Sequence, residues 1–386
     1  MSRGLWLPLL VALVLRLVPA LAADRVVADV ERYERVATHL LDASPNPYET
    51  RRLFPYPPPW AAVEAGALWL ARHGIGSFAV NVKIPVLLAD LLVVAALGVA
   101  ARAGRASAAA AWLYAAHPVS LLVTGFHGQF DAIALAFVLL ALDSLAREGR
   151  DASALLLGAA IATKSFPVLL LPFLALGKGA SPRSALRFAV LALLPVAALL
   201  LPFVLADAGA VRRELFAYSG IADFGWTGVV RGLEWLTTGV LPRSEARFWP
   251  VASLASKVLV LSAWAALVVA FARRRPDLTP QRACLVTMVG FCVLYGALSA
   301  QYLLWPVVLG VARPTRSFAL YTAAATAGLV GFYLFLAPGV LVAAPLTGDA
   351  ATHAGRLWVL GASVTLAVSA AWLLGLLRAP TAPTPA

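Results

Sequence analysis

Residues 78–101 read FAVNVKIPVLLADLLVVAALGVAA, a stretch in which Lys83 and Asp90 are the ionisable side chains. A helix of this length rises about 36 Å, which is enough to cross the hydrocarbon core of a bilayer. Similar apolar runs recur along the whole chain of 386 residues, of which 61% are hydrophobic and 13% are charged. A soluble domain carries about twice that charged fraction. The pattern predicts an all-α, polytopic transmembrane helical bundle in which residues 1–386 form a single integral membrane domain.

Ten to twelve membrane helices are predicted, some of them short or broken. We place them at residues 4–23, 78–101, 106–125, 130–146, 152–164, 167–177, 184–206, 250–272, 281–298, 302–312, 317–337 and 356–377. Segments 152–164, 167–177 and 302–312 are too short to span alone, so we expect half-depth helices surrounded by protein. The first segment has the basic start of a signal peptide, but Arg16 interrupts its apolar run, and we expect it to be retained.

The distribution of charge predicts the orientation. With the N-terminus inside, the short cytoplasmic loops hold fifteen basic and three acidic residues, whereas the outer segments are almost neutral. This positive-inside pattern holds at every short loop. It accounts for the formal net charge of +12, so nucleic-acid binding is not needed to explain the basic composition. Cys284 and Cys292 lie in one apolar segment, where we expect neither a disulfide nor a zinc site.

Two long segments, 24–77 and 207–249, are predicted to lie outside the membrane. The first begins with charged residues and continues into the proline cluster Pro55–Pro59, which requires an extended elbow. We expect an interfacial helix over residues 60–72, because this apolar run is short and contains a glutamate.

Polar residues gather at the outer membrane boundary, where they come from three turns between helices and from both long outer segments. The main ones are Asp29, Glu31, Tyr33, Asn46, Tyr48, Tyr56, His127, Gln129, Asp131, Lys164, Arg212, Arg213, Tyr218, Asp223, Trp226, Ser299, Gln301, Tyr302 and Trp305. Ionisable groups near membrane depth are costly and mark functional sites. Tyr302 and Trp305 can also be read as aromatic-belt anchors. Lys83 and Asp90, seven residues apart, can be read as a structural ion pair.

Six short motifs follow one another between residues 24 and 310. They read Asp29-Val-Glu-Arg-Tyr33, Tyr56-Pro-Pro-Pro-Trp60, Lys83-Ile-Pro-Val-Leu-Leu-Ala-Asp90, His127-Gly-Gln-Phe-Asp131, Thr163-Lys-Ser-Phe-Pro167 and Gln301-Tyr-Leu-Leu-Trp305. Together they resemble the GT-C superfamily of polyprenyl-phosphate-sugar-dependent glycosyltransferases. The fourth is similar to a turn in the glucosyltransferases that build the N-glycan precursor. The sixth is similar to a segment of the first mannosyltransferase of GPI-anchor synthesis and its bacterial relatives.

The resemblance implies a membrane enzyme that moves a hexose, either mannose or glucose, from a polyprenyl-phosphate-linked donor to a glycan or glycolipid acceptor. The reaction would take place at the extracytoplasmic face of a bacterial plasma (inner) membrane and would invert the anomeric configuration. The acidic motif is Asp-x-Glu where many relatives carry Asp-x-Asp. This departure leaves open a divalent metal, Mg²⁺ or Mn²⁺, held by Asp29 and Glu31, and we expect no other cofactor. Asp131 stands where some relatives carry asparagine.

The chemistry of this reaction assigns roles to the outer residues. A carboxylate must take the proton of the acceptor hydroxyl, and we expect Asp29 to do so, with Glu31 as the second candidate. Cationic side chains must stabilise the departing phosphate. For this role we select Lys164, His127, Arg212 and Arg213. The residues expected to bind the sugar or the acceptor are Gln129, Asp131, Tyr48, Tyr56, Gln301 and Tyr302.

A secondary transporter or a flippase for lipid-linked sugars is the main alternative. Such proteins also use broken helices and ionisable residues within the membrane, but they place their sites near the bilayer midplane and are built from repeats. No internal repeat is visible in this sequence, and the polar residues lie at the outer boundary. A non-catalytic assembly factor would not require a charged, aromatic first loop beside matching polar turns. The sequence therefore favours the enzyme.

Overall fold

The computed structural model describes residues 4–24, 29–177, 179–217, 220–242, 249–273 and 278–378. Throughout these ranges the regular structure is helical, apart from one isolated antiparallel bridge between Phe224 and Leu298. The predicted all-α polytopic bundle is confirmed. Its helices are α1 (Trp6–Ala22), α2 (Asp29–Asp42), α3 (Pro59–Arg72), α4 (Phe78–Arg102), α5 (Ala110–Ala115), α6 (Pro118–Ser120), α7 (Asp131–Ala146), α8 (Arg150–Thr163), α9 (Leu171–Ala175), α10 (Pro182–Val211), α11 (Gly225–Thr238), α12 (Trp249–Ala272), α13 (Pro280–Leu294), α14 (Trp305–Gly310), α15 (Arg316–Phe335) and α16 (Gly348–Arg378).

Five helices in the described ranges are long and apolar enough to cross a membrane. They are Phe78–Arg102, Pro182–Phe216, Val251–Ala272, Arg316–Phe335 and Gly348–Arg378. Five other predicted spans are shorter apolar helices, which lie at Trp6–Ala22, Ala110–Phe126, Phe166–Ala175, Pro280–Leu294 and Ala300–Gly310. The predicted segments 130–146 and 152–164 correspond to α7 and α8.

Proline breaks several of the apolar segments close to the outer boundary. A 3₁₀ turn at Phe166–Leu170 precedes α9, and a second one at Ala300–Leu304 precedes α14. The predicted helix over 106–125 is divided into α5, α6 and a π-helical turn at Leu121–Phe126. The first break comes at Pro118, which has no backbone N–H to continue the hydrogen bonds of α5. The π-helical turn then brings the chain to His127.

A buried ion pair fastens α1 to α4. The Nε of Arg16 donates to Oδ2 of Asp90 at 2.7 Å, and its Nη2 donates to Oγ of Ser120 at 2.8 Å. The hydroxyls of Tyr114 and Thr124 also donate to Asp90. Since Thr124 belongs to the π-helical turn, the same network fixes the segment that leads to the outer site.

The interpretation of Lys83 and Asp90 as an ion pair is wrong, because Asp90 is held by the network just described. The Nζ of Lys83 instead donates to the carbonyl of Ala23 at 3.1 Å. A Cβ on Gly128 would lie 3.0 Å from Cε of Lys83, and Gly128 has a φ of +81°. Only glycine adopts that backbone conformation without strain. Lys83 therefore packs against the turn between α6 and α7.

The two long segments that are predicted to lie outside the membrane are joined by Glu214. Its carboxylate accepts hydrogen bonds from the backbone N–H of Arg52 at 2.5 Å and of Phe54 at 3.3 Å. Arg51 and Arg52 have φ angles of +50° and +71°, which non-glycine residues hold only when their surroundings fix them. Glu214 lies in the π-helical turn Arg212–Phe216 at the end of α10 and is 3% exposed. The first-loop elbow is therefore shaped by the second outer segment.

Candidate active site

A cavity of about 390 Å³ opens where these elements meet. Its volume falls in the range of ordinary small-molecule sites. It lies between α2, the elbow, the turn after the π-helical segment, the start of α11, the 3₁₀ turn before α14 and the end of α15. The charged or titratable groups that line it, tyrosines aside, are Asp29, Glu31, Arg32, Arg35, His127, Asp223 and Arg231.

Helix α2 places the first of these groups. Its buried residues, Val30, Tyr33 and Val36 among them, follow the spacing of an amphipathic helix, so α2 lies on the bundle with one apolar face. Asp29 occupies the first turn, where the helix dipole favours a carboxylate. Arg32, one turn further, has its Nη1 3.6 Å from Oδ1 of Asp29.

Asp29 lies against the turn that carries two of the predicted site residues. The amide of Gln129 donates to Oδ2 of Asp29, and Oε1 of Gln129 accepts from the hydroxyl of Tyr33 at 3.2 Å. The Nε2 of His127 lies 3.3 Å from the same Oδ2. The other ring nitrogen of His127 is 3.0 Å from the hydroxyl of Tyr333. The imidazole of His127 therefore lies between the hydroxyl of Tyr333 and the carboxylate of Asp29.

The charge state of Asp29 follows from these contacts. Burial raises the pKa of this carboxyl, but the hydrogen bond and charge of His127, together with the charge of Arg32, more than offset it. The pKa of Asp29 is therefore lower than its ordinary value. Asp29 is ionised at neutral pH.

Lys164 lies behind this layer in a buried ion pair. Its Nζ donates to Asp131, whose other oxygen accepts from Nε1 of Trp305 at 2.6 Å. The same Nζ lies 4.6 Å from the ring centroid of Phe130 and 5.4 Å from that of Tyr56. Residues from four predicted motifs therefore meet here, and Tyr56 both approaches Lys164 and lines the cavity.

Five of the predicted site residues line the cavity, namely Asp29, Glu31, Tyr56, His127 and Gln301. Others lie outside its lining. Arg212 and Arg213 are exposed at the end of α10, and their role in phosphate binding stays a prediction. Tyr48 is buried and donates its hydroxyl to the carbonyl of Tyr56 at 3.0 Å. The ring of Tyr302 packs against that of Trp305, with centroids 4.6 Å apart. Tyr218 is outside the described residues.

Three arginines of the site, Arg32, Arg35 and Arg231, were not predicted, and Asp223 had no predicted role. Arg32 was predictable, since it follows Asp29 by three residues on a helix, whereas Arg35 and Arg231 carry no such signal. The side chain of Asp223 is 14% exposed, and its Oδ1 lies 3.6 Å from Nη1 of Arg231. Burial and the charge of Asp29, opposed by Arg231 and Arg32, raise the pKa of Asp223 to about 7. The two aspartates thus have different charge states near neutrality.

The divalent metal ion considered at Asp29 and Glu31 stays a prediction. Within the ranges that the structure covers, no three His, Cys, Asp or Glu side chains come together as a ligand set. Asp29 and Glu31 are two positions apart on one helix, so their side chains diverge. The oxygens of Asp29 face Gln129, His127 and Arg32. Gln129 donates to Oδ2, and His127 and Arg32 lie 3.3 and 3.6 Å from the carboxylate, so a cation held by Asp29 would have to bind at Oδ1.

The turn that carries His127 and Gln129 lies in a region of the chain that matches a protein family. Residues 35–178 match the family described as alpha-(1->6)-mannopyranosyltransferase, N-terminal domain. The chain is similar to glycosyltransferases. The match covers less than half of the chain and excludes both Asp29 and Asp223. Together with the apolar helices it supports a membrane glycosyltransferase. A search of curated proteins gives no match.

Proposed function

We propose that this protein is a mannosyltransferase of a bacterial plasma membrane. It moves mannose from a polyprenyl-phosphate-linked donor to a glycan or glycolipid acceptor at the extracytoplasmic face. The observation that carries the proposal is the ionised Asp29 at the wall of an outer cavity, fixed by Gln129 and His127. The match of residues 35–178 supports mannose as the sugar, and the resemblance of the six motifs supports the lipid-linked donor.

Asp29 has one oxygen suited to the chemistry. Its Oδ2 is engaged by Gln129 and His127, whereas the nearest charged group to Oδ1 is Arg32, at 3.6 Å. Oδ1 therefore takes the proton of the acceptor hydroxyl as the new bond to the anomeric carbon forms. The bond from that carbon to phosphate oxygen breaks, and its electron pair leaves with the polyprenyl phosphate. Attack from the opposite face inverts the configuration. Glu31, exposed at the rim, is the second candidate.

The departing phosphate needs cations that face the cavity. Arg35 lines it, and among the described residues its guanidinium has no ion pair. Arg32 and His127 stand on the same side, on α2 and the neighbouring turn. We place the phosphate at Arg35, because Arg32 and His127 contact Asp29, which acts on the opposite face of the sugar. The prediction that Lys164 binds the phosphate now requires it to release Asp131.

The lipid tail of the donor would lie along the outer surface of the bundle. In the membrane-crossing windows of α10 and α12, 11% and 17% of the residues are buried, so both helices present most of their surface to lipid. Both helices contact α9, the short helix after the broken segment Phe166–Leu170. We infer that the lipid tail approaches from the bilayer at this short helix, where the protein surface between the two long helices is shortest. We place the polyprenyl chain there.

Purified protein in lipid vesicles, supplied with radiolabelled polyprenyl-phosphate-mannose and a crude lipid-glycan acceptor, tests the proposal. We expect the wild type to transfer mannose and Asp29→Asn to reduce the rate by about 10²–10⁴-fold, which is the usual loss of a catalytic base. Asp42→Asn is the matched control, because Asp42 is an exposed acid on the same helix whose partner is Arg72. It should transfer at the wild-type rate.

Three other outcomes are informative. Transfer that survives Asp29→Asn would move the base to Glu31. Transfer from polyprenyl-phosphate-glucose instead of the mannose donor would keep the reaction class and change the sugar. No transfer from either donor, with movement of the labelled lipid across the vesicle membrane, would replace the enzyme with the flippase.

A further inference from the structure

A second group of polar side chains lines the cavity without a role in the steps above. Asp223 comes from the loop before α11, and Ser299 and Gln301 come from the turn that leads to α14. None of them belongs to the matched region 35–178.

Asp223 and Ser299 are held as neighbours by the isolated β-bridge. Phe224 and Leu298 form this antiparallel bridge, and the N–H of Phe224 donates to the carbonyl of Leu298 at 2.8 Å. Because the pairing is antiparallel, the residue before Phe224 faces the residue after Leu298, and paired side chains share one face about 5 Å apart. The carbonyl of Asp223 also accepts from Nε1 of Trp358 at 2.8 Å. The backbone on this wall is therefore fixed.

One of these side chains lacks a hydrogen-bond partner in the part of the chain that the structure describes. The hydroxyl of Ser299 is buried and unpaired, with the residue 3% exposed. Gln301 is 5% exposed. The carboxylate of Asp223 has Arg231 at 3.6 Å, which is beyond hydrogen-bond distance. Since buried polar groups normally have partners, this wall fits a ligand rich in hydroxyls.

We propose that Asp223 and Ser299 bind the hydroxyls of the acceptor sugar and are specificity-determining residues of the transfer, an inference that rests on the function proposed above. A carboxylate accepts one hydroxyl on each oxygen, so it matches two adjacent hydroxyls of a pyranose ring. The serine hydroxyl beside it donates to or accepts from a third. An acceptor held at this wall leaves another hydroxyl for Asp29, which lines the same cavity.

Acceptor binding then depends on pH. The charged groups that act on Asp223 are Arg231 on α11 and Asp29 and Arg32 on α2, and Tyr333 on α15 is a titratable group nearby. With a pKa of about 7, Asp223 is ionised above that pH and able to accept both hydroxyls. Asp29, whose pKa is below its ordinary value, stays ionised throughout this window and adds no dependence. The KM for the acceptor should therefore fall as the pH rises through about 7.

The test measures both acceptor binding and transfer on one preparation in lipid nanodiscs. Binding of reducing-end-labelled α-(1→6)-mannotriose is measured without donor, and transfer kinetics are measured with polyprenyl-phosphate-mannose. We expect Asp223→Asn to raise the acceptor KM about tenfold, and Ser299→Ala about threefold, with little change in kcat. Asp223→Asn should also abolish the pH dependence near 7. Glu234→Gln, an exposed acid on α11, is the matched control and should behave as wild type.

The outcomes separate this inference from the proposed function. Wild-type KM values in both variants, with mannose transferred, would overturn the acceptor site and leave the enzyme. A lowered kcat with unchanged KM would also overturn it. If the wild type transfers no mannose but binds mannotriose through Asp223, the sugar site stands and the transferase does not. Ser299→Ala removes one oxygen only, so the test survives a folding defect in Asp223→Asn.

Discussion

Lys164 and Arg35 differ in burial, and we expect them to have different roles. Lys164 is buried with Asp131, whereas Arg35 is exposed at the cavity. We expect Lys164→Met to lower the midpoint of thermal unfolding in detergent, because an uncompensated buried carboxylate costs about 3–5 kcal/mol. Arg35→Gln should keep that midpoint and raise the KM for the donor about tenfold, the loss of one charge-assisted contact. A raised donor KM with an unchanged midpoint in Lys164→Met would return Lys164 to the phosphate site.

The sequence was sufficient to predict which polar residues belong to the site, but not which of them form ion pairs. Asp29, His127 and Gln301 were predictable as a group, because charge orientation and helix ends put them on one membrane face. The pairing of Lys164 with Asp131 depends on how two helix ends superpose, and no spacing in the sequence encodes that. Asp223 had no assigned role because a bridge between distant segments brings it to the site.

Helix α2 could have been predicted from the sequence, whereas the π-helical turn could not. Val30, Tyr33, Val36 and Ala37 repeat at helical spacing, yet the charges around them suggested only a solvated loop. Pro118 marks the end of α5 in the sequence. The π-helical register that follows it, over Leu121–Phe126, carries no comparable signal, because it results from packing against α1 and α4.

The hydrogen bonds of Glu214 to the first long segment should protect that segment from proteolysis. Glu214 accepts two backbone hydrogen bonds beside Arg51 and Arg52, the residues with positive φ. Glu214→Ala removes both bonds, and hydrogen bonds to a charged group contribute about 1.5–3 kcal/mol each. We expect trypsin to cut after Arg51 or Arg52 at least about tenfold faster in this variant. Cleavage at the wild-type rate would show that the elbow keeps its shape without Glu214. Glu234→Ala, which removes an exposed acid on α11, is the control.

For the whole molecule, the proposed function requires the cavity to face away from the cytoplasm, which rests on the distribution of charge. Cys284 and Cys292 are buried, so the natural chain should not react with a membrane-impermeant maleimide. Ala43 follows α2 and Ala103 follows α4, and both are exposed. We expect Ala43→Cys to be labelled in intact spheroplasts and Ala103→Cys only after permeabilisation. The reverse pattern would show that the cavity faces the cytoplasm. The orientation predicted from the charges would then be wrong, and so would the proposal of a donor at the extracytoplasmic face. The two positions carry the same substitution, so the comparison controls for the reactivity of the new thiol.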